Sequence, residues 1–228
     1  MSVQLDDISI KIAGKKLTDD ELGQLVNFKV SFSNGTAAMA KINLIDDNFT
    51  IQEKDTFSIG KEIDITISKD NKDTIIFKGE VARVDYIFEA SESDSIQIIC
   101  YDGLYKVARE YHSRAFLESK ISAVASTMAG ESGLSVKVDA TTTKHEHIYQ
   151  NNQSNLEFLT IYAKRLGYEI NVFEGKLHFT KAGYQSKVSS SIELEWGINL
   201  TQFDAKIDVS DVLVEVTVNS WDTTKKVN

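Results

Sequence analysis

YQNNQSNLEFLTIYAKRLGYEI, residues 149–170, starts as a run of amides and ends as an amphipathic helix. The join is at Ser154, three residues before Glu157. That spacing is a capping box, in which the serine hydroxyl takes a free backbone N–H and the glutamate carboxylate reaches back to the serine N–H. Leu156, Leu159, Ala163 and Leu166 then fall on one face, widened by Phe158 and Tyr162. Lys164 and Arg165 suit the negative end of the helix dipole, and Gly167 suits the left-handed position beyond it. The polar run therefore reads as the entrance to a well-capped structural helix.

Working outward, residues 111–184 form a helix–strand–helix–hairpin pattern. In SKISAVASTMA (119–129), Ile121, Val124, Ala125, Met128 and Ala129 share one helical face. Ser119 is the expected N-cap, and Gly130 or Gly133 the stop. LSVKVDA follows as a short strand. YEINVFEGKLHFTKA then predicts a hairpin turning at Glu174-Gly175.

Residues 1–110 alternate with period two. Ile8, Ile10 and Ile12 share a face, as do Phe28, Val30 and Phe32, then Ile42 and Leu44. Ile63, Ile65 and Ile67 lead through Asp70-Asn71 into a strand resuming at Ile75. Ile96, Ile98 and Cys100 close the series. Six or more closely spaced strands argue a sandwich or small barrel. Thr18 is the expected N-cap of a helical turn over 18–25. From 186 onward the chain is strand-like again, with Val212, Val214, Val216 and Val218 alternating. Three strands are too few for a self-contained barrel, because two edges stay unpaired, so the expectation is that they complete the first barrel, pair with another chain or begin a further domain.

The 228 residues carry 34 acidic and 25 basic side chains, a net charge of −9. A nucleic-acid binder needs a basic stripe for the phosphates, so no specific nucleic-acid partner is expected. The single cysteine, Cys100, rules out an internal disulfide framework and sits at an expected buried strand position. MSVQLDDISI lacks the basic and apolar regions of a signal peptide, and no run reaches membrane-spanning length. Synthesis and folding in a cytoplasm, without membrane insertion, is the expectation.

Sites of chemistry are hard to find. GxSxG, P-loop, HExxH and GxGxxG motifs are all missing. On a strand, His145 and His147 of His145-Glu146-His147 would point to one side, but a third metal ligand at suitable spacing is lacking, so a solvated polar loop is expected. His112 and His178 stand alone. Asp46-Asp47-Asn48 and Asp70-Asn71-Lys72-Asp73 lack the EF-hand spacing and read as turns. A glycosidase carboxylate pair has nothing to mark it. Trp196 and Trp221 could stack on sugar, but strand-end packing is the better reading. The expectation is no enzyme, with no catalytic, cofactor-binding or metal residues and no cofactor.

A resemblance adds to this reading. Phe57-Ser-Ile-Gly60-Lys61, Phe77-Lys-Gly79-Glu-Val81 and Tyr101-Asp102-Gly-Leu104 occur in order ahead of Tyr149-Gln150-Asn151-Asn-Gln-Ser154-Asn155-Leu156-Glu-Phe158-Leu159. Ala163 to Tyr168, Gly175 to Phe179, and Val218-Asn-Ser-Trp221-Asp222 with Lys225-Lys226 complete the series. Together these residues resemble the baseplate-hub proteins of contractile injection systems: the phage late control protein D family and the N-terminal part of VgrG-type spike proteins. The resemblance implies a mainly β chain with an α+β insertion: a first β-barrel hub domain over 1–110, the α+β insertion over 111–184, and strands of a second, incomplete β-barrel over 185–228. It implies a homotrimer serving as adaptor between the hexameric tail tube protein and the central spike protein or spike domain, beside other baseplate proteins, in a virion tail baseplate or injection particle. The alternative from the residues is a carbohydrate-binding β-module of a virion or secreted protein.

Overall fold

The computed structural model describes residues 8–46, 51, 56–69, 72–88, 93–173, 175–183, 195–198, 200 and 202–204. The chain divides into two compact units, Met1–Lys187 and Val188–Asn228. It is mainly β with an α+β part, as expected.

The first unit opens with strands β1 (Ile8–Ile12), β2 (Lys15–Lys16), β3 (Leu25–Ser31), β4 (Met39–Ile45), β5 (Glu62–Lys69), β6 (Lys72–Ile87) and β7 (Ser95–Tyr101), with helix α1 (Asp19–Gly23) between β2 and β3. All pairings are antiparallel, in the order β2-β1-β5-β6-β7-β4-β3. The period-two readings hold for Ile8, Ile10, Ile12, Ile42, Leu44, Ile63, Ile65, Ile96, Ile98 and Cys100, all buried in one core. Phe28 and Val30 of the terminal strand β3 pack on that same core, so the sheet curls instead of lying flat. Burying each isoleucine contributes roughly 1.5–3 kcal/mol, which makes this core the main source of stability here.

Two readings fail at the margins. Ile67 follows a register shift between Ile65 and Thr66 and is only half-buried. Phe32 lies beyond the end of β3 and is 65% exposed. Thr18 caps α1 as expected, its hydroxyl accepting from the Glu21 N–H.

A second core follows in chain order, built from α2 (Leu104–Ala108), β8 (Tyr111–Lys120), α3 (Ile121–Glu131), β9 (Ser135–Val138), β10 (Lys144–Ser154), α4 (Asn155–Leu166), β11 (Tyr168–Phe173) and β12 (Lys176–Lys181). Strands β8 and β10 form an antiparallel ribbon; β11, β12 and β9 form a small sheet in which β9 runs parallel to β12. The whole predicted face of α3 is buried. Its N-cap, however, is Lys120 and not Ser119. Strand β8 runs straight into the helix, and the Ser119 hydroxyl is turned back onto the Leu117 carbonyl.

The capping box of α4 forms as read: the Ser154 hydroxyl accepts from the Glu157 N–H at 3.1 Å, and the Glu157 carboxylate accepts from the Ser154 N–H at 2.8 Å. Gly167 closes the helix at φ 66, a left-handed conformation that L side chains avoid. Leu166 is half outside the face assigned to it, at 38% exposure.

In the second unit, Trp196 and Leu200 meet in an isolated bridge, and Ile198 and Leu200 donate to the Glu195 carbonyl. Val212, Val214, Val216, Val218, Trp221, Asp47, Asn48, Asp70, Asn71 and Glu174 lie outside the described residues.

Candidate functional site

Residues 145–153 are strand and not loop. They belong to β10, which pairs with β8 and carries a bulge between Gln150 and Gln153 with Asn152 at φ 46. Ile148 and Gln150 point inward, and Gln150 is fully buried. A buried amide without partners would cost about 1–3 kcal/mol. This one is satisfied.

The partner is Arg114, on β8. Its Nε donates to Gln150 Oε1 at 2.9 Å, and its two terminal nitrogens form a fork onto the Glu131 carboxylate at 2.7 Å each. One of those nitrogens also reaches Asn155 Oδ1 at 3.1 Å. Gln150 Nε2 donates to Asn155 Oδ1 at 3.0 Å and to the Gln153 carbonyl at 2.9 Å. The guanidinium lies over the Phe116 ring, 5.0 Å from its centroid. The Arg114 fork holds the Glu131 carboxyl below its ordinary range. Strands β8 and β10 and helices α3 and α4 are thus pinned by one planar cation that places four of its five N–H donors on protein acceptors. These bonds hold the four elements in one arrangement.

The second conspicuous cluster lies where the two cores meet. Asp102 follows β7 and is buried; its Oδ1 accepts from the Leu104 N–H at 3.0 Å, while its own N–H donates to the Ala38 carbonyl. Burial pushes its carboxyl up to about 6, against the opposing pull of backbone hydrogen bonds from Ala38 and Leu104. Gly79 lies against the Tyr101 carbonyl so closely that a Cβ would collide with it. Lys106 pairs with Glu80, and Tyr101 stacks on Tyr105 at 5.1 Å. Gly60 donates to the Val81 carbonyl and Val81 to the Lys61 carbonyl. The glycine-containing motifs at 57–61, 77–81 and 101–104 therefore converge on one joint. They flank a cleft of about 180 Å³ lined by Asp102, Gly103, Leu134 and Val172 among others.

The remaining candidates scatter. His145 and His147 sit on β10 opposite Ser119 and Leu117, and His147 stacks on Tyr149. His112 lies 3.7 Å from Glu110, and His178 meets the Phe173 ring edge-on. Asp46 is buried and takes the Ile51 N–H, which is turn chemistry; Asp73 accepts from Ser68. Cys100 is buried in β7, and burial pushes its thiol up to about 12. Among the described residues, no three His, Cys, Asp or Glu side chains gather in a way that would hold a metal ion, and no helix is long and apolar enough to cross a membrane. Trp196 is exposed. Sequence reading missed Arg114 altogether; its only signal was a lone arginine at an inward position between two exposed ones in YHSRAFL.

The fold is shared with proteins of phage tails and of a secretion system. The 43 kDa tail protein of prophage MuSo2 from Shewanella oneidensis superposes with a TM-score of 0.69 at 15% identity, over 94% of this chain and 67% of that one. A tail protein from Neisseria meningitidis MC58 gives 0.58 at 13% identity, covering 79% and 52%. The E. coli c3393 protein, a component of the type VI secretion system, gives 0.57 at 10%, covering 75% and 48%. The chain thus spans two thirds of the first of these proteins and about half of the other two. No curated protein matches it in sequence. Residues 2–228 match the Alg8 N-terminal domain family, and the chain belongs to that family.

Proposed function

We propose that the chain is a structural, non-enzymatic component of the baseplate hub of a contractile phage tail or phage-like injection or secretion system. In this reading three copies form an adaptor between the hexameric tail tube and the central spike, contacting other baseplate proteins. The reading also places the protein in a virion tail or injection particle after synthesis in a bacterial cytoplasm. The observation that carries it is the superposition of 94% of the chain on a prophage tail protein. Two features of the molecule support it. The most elaborate polar cluster, around Arg114, is committed to holding four elements together. The motifs that resemble the hub family converge on the joint between the two cores.

Function would then come from shape and symmetry, through surfaces that repeat from copy to copy. Light scattering across a concentration series tests this directly. A mass near three times 25.5 kDa is expected. A strict monomer at the highest concentration overturns the trimeric reading.

The exposed Trp196, at 69%, favours one further reading, a carbohydrate-binding β-module. That reading requires glycan binding that Trp196→Ala abolishes, while the hub reading requires none.

A further inference from the structure

The outer face of the curled sheet carries an ordered pattern of charge. Strand register aligns Lys29 on β3, Lys41 on β4, Ile99 on β7 and Arg83 on β6 in one row, opposite in sense to the buried row of Ile42 and Ile98. The next row is Asn27, Asn43, Gln97 and Asp85, in which Asn43 donates to Asn27 at 2.7 Å. Arg83 is paired with Asp85 at 2.9 Å. Among the described residues, Lys29 and Lys41 have no carboxylate partner, and Lys29 is exposed. Ile99 is buried between Lys41 and Arg83, as expected where long charged side chains lay their apolar stems along a sheet and keep their heads in water.

This basic row stands on a chain of net charge −9. Copies of so acidic a chain repel one another at long range. Close approach between copies is favoured where one presents local positive charge to the carboxylate excess of another. We infer that the Lys29–Lys41 edge of the sheet is the surface on which a second copy of this chain docks, covering the two lysines with its own carboxylates. Such a contact is heterologous, basic face to acidic face. Repetition of a heterologous contact gives a closed ring when the rotation closes. The inference rests on the proposal that copies assemble and names the face they use.

Lys29→Glu/Lys41→Glu in the full chain tests it, beside Lys29→Arg/Lys41→Arg, by sedimentation equilibrium at low and high salt. Wild type is expected to associate more weakly as salt rises, because screening acts on this contact. The glutamate pair should raise the dissociation constant by about tenfold or more, and the arginine pair should leave it near wild type. Both lysines project from the outer face of the sheet, so the melting temperature should move little and reports separately on folding. A glutamate pair that assembles as wild type does, with the same salt dependence, overturns the inference and leaves the assembly proposal standing. A glutamate pair that assembles normally but loses an acidic heterologous protein overturns it too, since the face then serves that protein. A wild type that stays monomeric overturns the assembly proposal itself, and this inference with it.

Discussion

The two cores of Met1–Lys187 solve the problem of specificity differently. The first, running from Ile8 to Cys100, is built from apolar side chains, with Ile10, Ile42, Ile63, Ile65 and Ile98 fully buried from period-two strands and the buried Asp46 taking the Ile51 N–H. The second, running from Leu104 to Phe179, surrounds a polar network in which Gln150 and Asn155 are buried and Arg114 supplies the donors. An apolar core is held by area and tolerates imprecision. A buried polar network tolerates little, because each unmet group carries its own desolvation penalty. The first core should therefore fail by cavity, and the second by orphaned polar groups.

The largest effect is expected from a cavity in the first core. Ile98→Ala removes buried atoms at the centre of the β4–β7–β6 register and should cost about 4 kcal/mol. Urea denaturation measures it; a loss under 1 kcal/mol would mean the core collapses around the gap. Next comes the network. Arg114→Ala leaves Gln150 and Asn155 without their shared donor and should cost about 3 kcal/mol, the exposed side of the Glu131 pair adding little. Arg114→Lys should rescue less than half, since an ammonium cannot span Gln150, Asn155 and a carboxylate fork together. Replacing Gln150 and Asn155 with leucine in the Arg114→Ala background should recover part of the loss, whereas in an apolar-only core no such recovery exists.

That asymmetry also explains what the sequence made legible. The strands of the first core could be read because each inward position is apolar. The caps and faces of α3 and α4 could be read because helical spacing is local. Strand β10 could not, because its inward position 150 is a glutamine, which breaks the alternation; the group that makes it tolerable, Arg114, lies 36 residues away in sequence. Helix α2 has five residues, too few for a helical period, and Ser119 was assigned to the helix because nothing local shows that a strand continues through it. The candidate site suffered most. The joint at Asp102 depends on strand register that sets Gly60 against Val81 and Gly79 against Tyr101, and register is not a property of any one segment.

The joint offers a pH test of the comparison. Asp102 is raised from 3.8 to about 6 by burial, so the folded state favours its protonated form. Its contribution to stability is fully present below the ordinary value and is lost as pH rises through about 6. Asp102→Asn, which stays neutral and still accepts from Leu104, should therefore gain on wild type between pH 4 and 7, by up to about 2–3 kcal/mol. A difference in melting temperature that stays constant over that range would show that Asp102 titrates normally. Glu131 runs the other way: held low by Arg114, it supports the second core above its ordinary range and loses that support in acid.

The smallest effects separate the two regions most cleanly, because the same motif occurs in both. Thr18 and Ser154 each complete a capping box with a glutamate three residues on. Ser154 is buried at the junction of β10 and the 12-residue α4, whose face lies in the second core. Thr18 starts a five-residue helix and its capping bonds are exposed. Water can replace the lost partner at Thr18 but reaches Ser154 poorly. Ser154→Ala should therefore cost about 1–2 kcal/mol and Thr18→Ala about 0.5 kcal/mol. Equal losses would mean that burial adds nothing to a cap here, and that the second core is less dependent on its polar connections than the Arg114 geometry requires.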